Sequence, residues 1–450
     1  MTSPLDALGP LDGRYHSQVA PLAAHFSERA LIITRVQVEL AWLRAVAPLF
    51  PFSADADLSP LDGIGRQIAA PNEAESVKAL EQETRHDVKA AEYWLHEQLQ
   101  QCQLGALVPL VHFGCTSWDI NNIAMGRMIT GALRESMIPC LESLLKDIHE
   151  RAHQYADVPM LARTHGQPAS PTTVGKEFAV FYARLSPRLS RLREWRAPGK
   201  MSGATGNYNT HYAARPDVDW PQIARQFVEG QGMIFAPHTT QIEPYDDFAD
   251  LFNLLRGVNN IALDLCRDMW GYVALEYIRQ PPVAGEVGSS TMPHKINPID
   301  FENAEGNIGV GNALLAHLSD KLPVSRWQRD LSDSTVVRNI GLVFGHVFLA
   351  WSSARRGLAR SDINTIRLDA DLDDNWQVLS EAVLTVMRAE DAGDEAYEQL
   401  KDFSRGVEVS PERLHGFIRG LPISDKAKES LLSLSPRDYC GIAARLAKEV

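Results

Sequence analysis

The segment Gly285-Glu-Val-Gly-Ser-Ser-Thr-Met-Pro-His-Lys-Ile-Asn-Pro298 breaks two helical stretches with Gly285, Gly288, Pro293 and Pro298. Such a loop can set Ser289 and Ser290 beside Lys295 and several backbone N–H groups, an arrangement that stabilises an oxyanion on a substrate or on a serine. Taken singly, Gly and Ser are ordinary residues of a solvated connector. The eleven-residue string 288–298 taken whole is far more specific.

Upstream, Arg163-Thr-His-Gly-Gln-Pro168 sets a histidine between helix breakers, just before a helical run that starts near Thr173. An imidazole with an ordinary pKa near 6.5 suits proton transfer at neutral pH, although a lone histidine is also a common surface or core residue. A third cluster, Ser325-Arg-Trp-Gln-Arg-Asp-Leu-Ser-Asp-Ser-Thr-Val-Val-Arg338, concentrates Arg326, Arg329 and Arg338 in an acidic chain. Anion binding and pairing with Asp330 and Asp333 on an exposed helix both account for it. Two further polar stretches are Arg85-His86-Asp87 and Thr116-Ser117-Trp118-Asp119-Ile120-Asn121-Asn122, the second also readable as a helix cap. Serine-hydrolase, zincin and P-loop motifs do not occur, so the chemistry calls for no cofactor and no metal.

The elements that must position these groups are helices. Phe248, Leu251, Leu255, Val258, Ala262, Leu265 and Met269 recur in steps of three and four. Val336, Ile340, Val343, Val347, Ala350, Ala354 and Leu358 form a second such seam, and Leu133, Met137, Leu141, Leu144, Ile148 and Ala152 a third. Strand alternation is almost absent, so the fold class is all-α. The narrow stripes suit packing within one chain or between subunits. The chain divides into an N-terminal helical domain (1–115), a central long-helix bundle (116–358) and a C-terminal helical domain (359–450), the last opening on an acidic, turn-rich stretch.

The 450 residues exceed one domain, and 45% hydrophobic with 22% charged residues is an ordinary globular balance. The net charge of −13 argues against nucleic acid or an anionic membrane as partner. Five scattered cysteines without a Cys-x-x-Cys pair, and an N-terminus with no leader pattern, imply a cytoplasmic protein. The apolar run 340–351 is too short to span a bilayer.

Together Gly288-Ser-Ser-Thr-Met-Pro-His-Lys-Ile-Asn-Pro298, Asp12-Gly-Arg-Tyr15, His86-Asp-Val-Lys89, Thr116-Ser117, Thr164-His-Gly-Gln-Pro168, Thr239-Thr-Gln-Ile-Glu-Pro244 and Arg326-Trp-Gln-Arg-Asp330 resemble, in order and across nearly the whole chain, the bacterial-type adenylosuccinate lyase family of the fumarase/aspartase superfamily. The resemblance implies a three-domain fold whose central bundle assembles into a homotetramer core, with active sites shared between subunits. It implies anti β-elimination of fumarate from adenylosuccinate, giving AMP, and from succinyl-aminoimidazole-carboxamide ribotide (SAICAR), giving AICAR. By resemblance Ser289 is the base, His165 the acid, Glu302 the carboxylate that charges His165, and Lys295 a support for the loop and the ligand. Arg14, Tyr15, Arg329, Ser334 and Arg338 match anion-holding positions. Arg85, His86, Asp87, Thr116, Ser117, Gln241 and Asn297 belong with the further substrate contacts. Arg85 stands where a small polar residue is expected and Trp118 where Glu is expected. A sister lyase with another substrate and a non-catalytic helical scaffold are the competing readings.

Overall fold

The computed structural model describes residues 4–282, 291–292, 295–391, 396–404 and 409–450. Most of them are helical, and the strands form three two-stranded pairs, so the all-α expectation holds. The chain divides into two compact units that interleave in sequence. The first comprises Met1–Leu141, Arg188–Asn260 and Gly306–Trp351, the second Glu142–Pro187, Ile261–Glu305 and Ser352–Val450.

The seams become cores. In the first unit Leu133, Met137, Leu141, Phe248, Leu251, Leu255, Val258, Val343 and Val347 are buried. In the second, Leu144, Ile148, Ala262, Leu265, Met269, Ala354 and Leu358 are. Each larger aliphatic side chain removed from water contributes about 1.5–3 kcal/mol, which is why a three-four spacing selects helix over strand here. The second seam starts later than its periodicity implies. Val336 belongs to the separate short helix Ser332–Val337 and is half-buried, and the long helix is Ile340–Ala359. Register within the first unit is fixed by a polar contact among the apolar ones. Buried Asn259 donates to Asn312 Oδ1 at 2.9 Å and accepts from Trp351 Nε1 at 2.9 Å.

The stretch Ser332–Ala359 is by length and composition sufficient to cross a membrane, so the length argument made from residues 340–351 does not stand. Burial replaces it. Half of its most apolar 18-residue window is buried, His346 Nδ1 bonds Asn307 Oδ1 at 2.9 Å, and Trp351 bonds Asn259, all features of a core helix.

One feature of the second unit has no precedent in the helical periodicity. Pro159–Thr164 and Gln167–Thr173 pair as an antiparallel hairpin, Thr164 opposite Gln167. The loop is His165-Gly166, both in the left-handed region with φ +52° and +74°. That is the backbone of a two-residue type I′ loop, whose twist matches that of the strands. Pro168 and Pro171 hide the second strand from pattern reading. Leu161, Leu372 and Val378 form a small core beneath the hairpin, and Arg163 pairs with Asp371 at 2.5 Å.

Candidate active site

A cleft of about 270 Å³ opens in the first unit, lined by apolar groups such as Phe26, Met125 and Met128 and by a set of charged and hydroxyl groups. His86 and Asp87 reach it from one helix end. His86 is the N-cap of Asp87–Gln101, its Nδ1 accepting the Lys89 N–H at 3.2 Å, which leaves Nε2 to meet a ligand. Arg85 ends the preceding helix, Glu73–Thr84, in the left-handed region (φ +52°), and this backbone explains why a small polar residue is expected there. Its side chain is exposed and does not line the cleft.

Asp87 lies between two guanidinium groups, Arg35 at 2.8 Å and Arg338 at 3.0 Å. Burial alone would raise its pKa, but the two cations outweigh burial and hold the carboxyl below the ordinary carboxylate range. Burial lowers the pKa of Arg35, whose Nε also donates to Asn121 Oδ1 at 2.8 Å. Ser117 and Trp118 enter the cleft from the first turn of Ser117–Ala132. Thr116 is that helix's cap. Its N–H donates to Asp119 Oδ2 at 2.8 Å and it does not line the cleft, so the capping explanation holds for Thr116 and Asp119 but not for their neighbours.

The arginine cluster separates into distinct roles. Arg326 is exposed and pairs with Asp330 at 3.3 Å, as the surface-pair reading expects. Arg329, Ser334 and Arg338 line the cleft. Arg329 is anchored through Nη1 to Gln241 Oε1 at 3.1 Å and through Nε to the Asp330 carbonyl at 3.3 Å, with Asp333 at 3.7 Å. Gln241 thus acts through Arg329. Its Nε2 donates to the Ala204 carbonyl and its backbone N–H to the Gln328 carbonyl. Arg14 and Tyr15 belong to the same unit yet do not line the cleft, and the Arg14 guanidinium lies 5.9 Å from the Tyr15 ring centre.

His165, Lys295, Asn297 and Glu302 belong to the second unit. His165 is exposed at the hairpin tip, and Lys295 is exposed, its N–H donating to the Met292 carbonyl at 3.0 Å. Glu302 lies in the first turn of Ile299–Lys321, where it accepts the Trp270 indole N–H at 3.1 Å. Among the described residues there is no hydrogen bond between His165 and Glu302, so the single chain does not make the carboxylate–imidazole pair that the resemblance implies. Ser289 and Ser290 lie outside the described residues.

Sequence reading missed Arg35, and it noted Asn121 only as part of the polar stretch Thr116 to Asn122. The signal for Arg35 was a cation at helical spacing from the buried Ile32, Val36 and Val38 of the helix Glu28–Val46, where a buried charge needs a partner. Among the described residues no group of three or more His, Cys, Asp or Glu could hold a metal ion. The cleft joins guanidinium, imidazole and hydroxyl donors to an apolar lining, and so suits a ligand that carries anions on a flat, weakly polar body.

Known proteins narrow this further. A family model described as "Lyase" matches residues 13–310, and one described as "Adenylosuccinate lyase C-terminal" matches 325–440. The chain is 44% identical to the adenylosuccinate lyase of Escherichia coli, over 100% of this chain and 99% of that one. It is 44% identical to that of Haemophilus influenzae with the same coverage, and 45% identical to that of Legionella pneumophila over 99% and 98%. Two solved structures share the fold. A 3-carboxy-cis,cis-muconate lactonizing enzyme from Pseudomonas putida has a TM-score of 0.76 at 21% identity, covering 95% of each chain. A fumarate lyase from Mesorhizobium has a TM-score of 0.78 at 20% identity, covering 96% of this chain and 97% of that one. With the lyase region and the C-terminal region both matched, and relatives aligned from end to end, the chain is a lyase and belongs to the adenylosuccinate lyase family.

Proposed function

We propose that the protein eliminates fumarate from adenylosuccinate, leaving AMP, and from SAICAR, leaving AICAR. The observation that carries this reading is the cleft, where Arg329, Arg338, His86, Ser117 and Ser334 meet Phe26, Met125 and Met128. A nucleotide with a phosphate and two succinyl carboxylates needs such a mixture of bidentate cations and apolar surface.

In the elimination Ser289, as alkoxide, removes the proton from the carbon beside one succinyl carboxylate, giving an aci-carboxylate. Collapse of that intermediate expels the nitrogen, which His165 protonates. Lys295 and loop N–H groups stabilise the serine oxyanion, and Glu302 favours the imidazolium form of His165. Asn297 and Lys295 contact the substrate, and Arg14, Tyr15, Arg85, Asp87, Thr116 and Gln241 complete or support the anion sites. The missing His165–Glu302 bond supports an assembly in which another copy of the chain completes each site. We therefore read the protein as a cytoplasmic homotetramer built on the central segment 116–358, flanked by 1–115 and 359–450, and inactive as a monomer.

The test is fumarate release by the purified protein from adenylosuccinate, SAICAR, argininosuccinate and malate, with Ser289→Ala as control. Release from adenylosuccinate and SAICAR only, lowered roughly 10²-fold or more in the variant, is the expected result. Release from argininosuccinate or malate instead would make the protein a sister lyase. A well-formed tetramer silent on all four would favour the scaffold.

A further inference from the structure

Trp118 is the second residue of the helix Ser117–Ala132 and lines the cleft, yet only 3% of it is exposed. Its indole N–H is buried and has no hydrogen-bond partner among the described residues, so the N–H is not the feature the fold uses. The ring face is. The Arg329 guanidinium carbon lies 4.5 Å from the indole centre. The edges of the same guanidinium are tied to Gln241, the Asp330 carbonyl and Asp333. Tyr245 meets the indole edge to face at 6.3 Å and sends its hydroxyl to Asp333, the carboxylate beside Arg329.

We infer that Trp118 is a positioning residue for anion binding: its ring closes one face of Arg329 and aims the remaining N–H groups at the ligand. A guanidinium is weakly hydrated and stacks on aromatic faces, so the contact dehydrates it without neutralising it. The edge contacts fix the position of the cation, and the ring fixes its plane. Nε and one hydrogen of Nη1 are committed to hydrogen bonds and Nη2 is in an ion pair with Asp333 at 3.7 Å, so no more than three of the five N–H groups are open to an anion. A bidentate anion reads that plane, so Trp118 governs affinity and leaves the proton-transfer groups untouched.

The inference rests on the anion-binding role proposed above for Arg329, and the experiment separates the two. Trp118→Phe, Trp118→Leu, Arg329→Ala and the double variant Trp118→Leu/Arg329→Ala are compared with the parent protein by steady-state kinetics on adenylosuccinate. Trp118→Leu should raise KM about 5- to 30-fold with kcat within about twofold, and Trp118→Phe, which keeps a ring face, should stay within about threefold of the parent. On the Arg329→Ala background, Trp118→Leu should add nothing. A merely structural tryptophan would instead lower kcat and KM alike, or act equally on both backgrounds, and either result overturns the inference. Inorganic phosphate and succinate, titrated calorimetrically against the same proteins, read the coupling without turnover. The anion that loses affinity in Trp118→Leu identifies the end of the substrate that Arg329 holds. If the parent binds these anions through Arg329 but turns over no adenylosuccinate, the proposed reaction fails and the coupling stands. If Trp118→Leu leaves both affinities unchanged, the inference fails whatever the reaction.

Discussion

Lys200 and Asp119 form an ion pair 3.0 Å long in which neither side chain reaches solvent. Asp119 also accepts the N–H groups of Thr116, Ser202 and Gly203, and Lys200 donates to the carbonyls of Gly203 and Gln241. The pair therefore fastens the turn that carries Ser117 and Trp118 to the segment that carries Gln241. Both supply contacts to Arg329, so one buried pair positions much of the proposed anion site.

Replacing Lys200 by Met should destabilise the protein by about 3–5 kcal/mol, because it strands a charged carboxylate away from water. The double variant Lys200→Met/Asp119→Asn should recover part of the loss, since no uncompensated charge remains. Thermal unfolding of the three proteins measures this. A Lys200→Met variant that melts with the parent would refute the clamp.

Arg35→Met should raise KM about tenfold and move the acid limb of the kcat/KM profile to higher pH. Two guanidinium groups keep Asp87 ionised against its burial. With one removed, the folded-state pKa rises, and the ionised form that holds Arg338 in place persists only at higher pH. An acid limb that does not move would show that Asp87 is not coupled to binding.

The sequence carried the helical class because each seam repeats a strong signal over several turns, and Phe248 through Met269 are buried as their spacing requires. It also singled out Arg326, Arg329 and Arg338, since a cation cluster in an acidic chain needs a reason, whereas Ser334 came only from the family resemblance. Arg35 carried a faint local signal, but the partner that gives it a role, Asp87, lies 52 positions away, beyond any local pattern. The hairpin around His165 was hidden for a different reason. Its strands contain prolines and its loop uses His where Asn or Asp is usual, so tertiary packing on Leu372 and Val378 overrides a poor local signal. The departure at Trp118 looked like a loss of charge in one dimension and proves to be a stacking surface in three.

Glu243 supplies a pH test of the same region. Burial pushes its carboxyl up to about 8, although it accepts the Tyr245 N–H at 3.0 Å. The folded state thus binds a proton that the unfolded chain releases near pH 4.5, and stability falls as pH rises from there through about 8. Glu243→Gln, which mimics the protonated form, should flatten this slope and raise stability at pH 7 by about 3 kcal/mol. Unfolding by urea at pH 5, 7 and 8.5 tests it, and parallel pH dependences in parent and variant would count against the assignment.

Sites completed by another copy can be examined by mixing variants. His165 lies in the second unit, whereas Arg329 lies in the cleft of the first. His165→Asn and Arg329→Ala, each nearly inactive at low substrate, should regain at least about tenfold activity after joint dissociation and reassembly, because some sites draw both intact residues from different chains. If the mixture shows only the average of its parents, each site is built from one chain.

The hairpin tip allows chemistry and folding to be tested apart. His165 and Gly166 both hold positive φ, a conformation that Asn adopts readily and a residue such as Ala resists. His165→Asn should therefore keep the thermal stability of the parent while turnover drops roughly 10²-fold or more, since the proposed proton donor is gone and the turn is not. Gly166→Ala does the reverse. A Cβ there meets open space, so the cost is the backbone strain of about 1 kcal/mol, and the histidine is retained but re-aimed. Its kcat should fall less than that of His165→Asn, with KM nearly unchanged, because the substrate's anions are held in the cleft by other residues. Near-parental turnover in His165→Asn would remove His165 from the proton path. Unaltered kcat in Gly166→Ala would mean that the imidazole needs no fixed turn to reach the departing nitrogen.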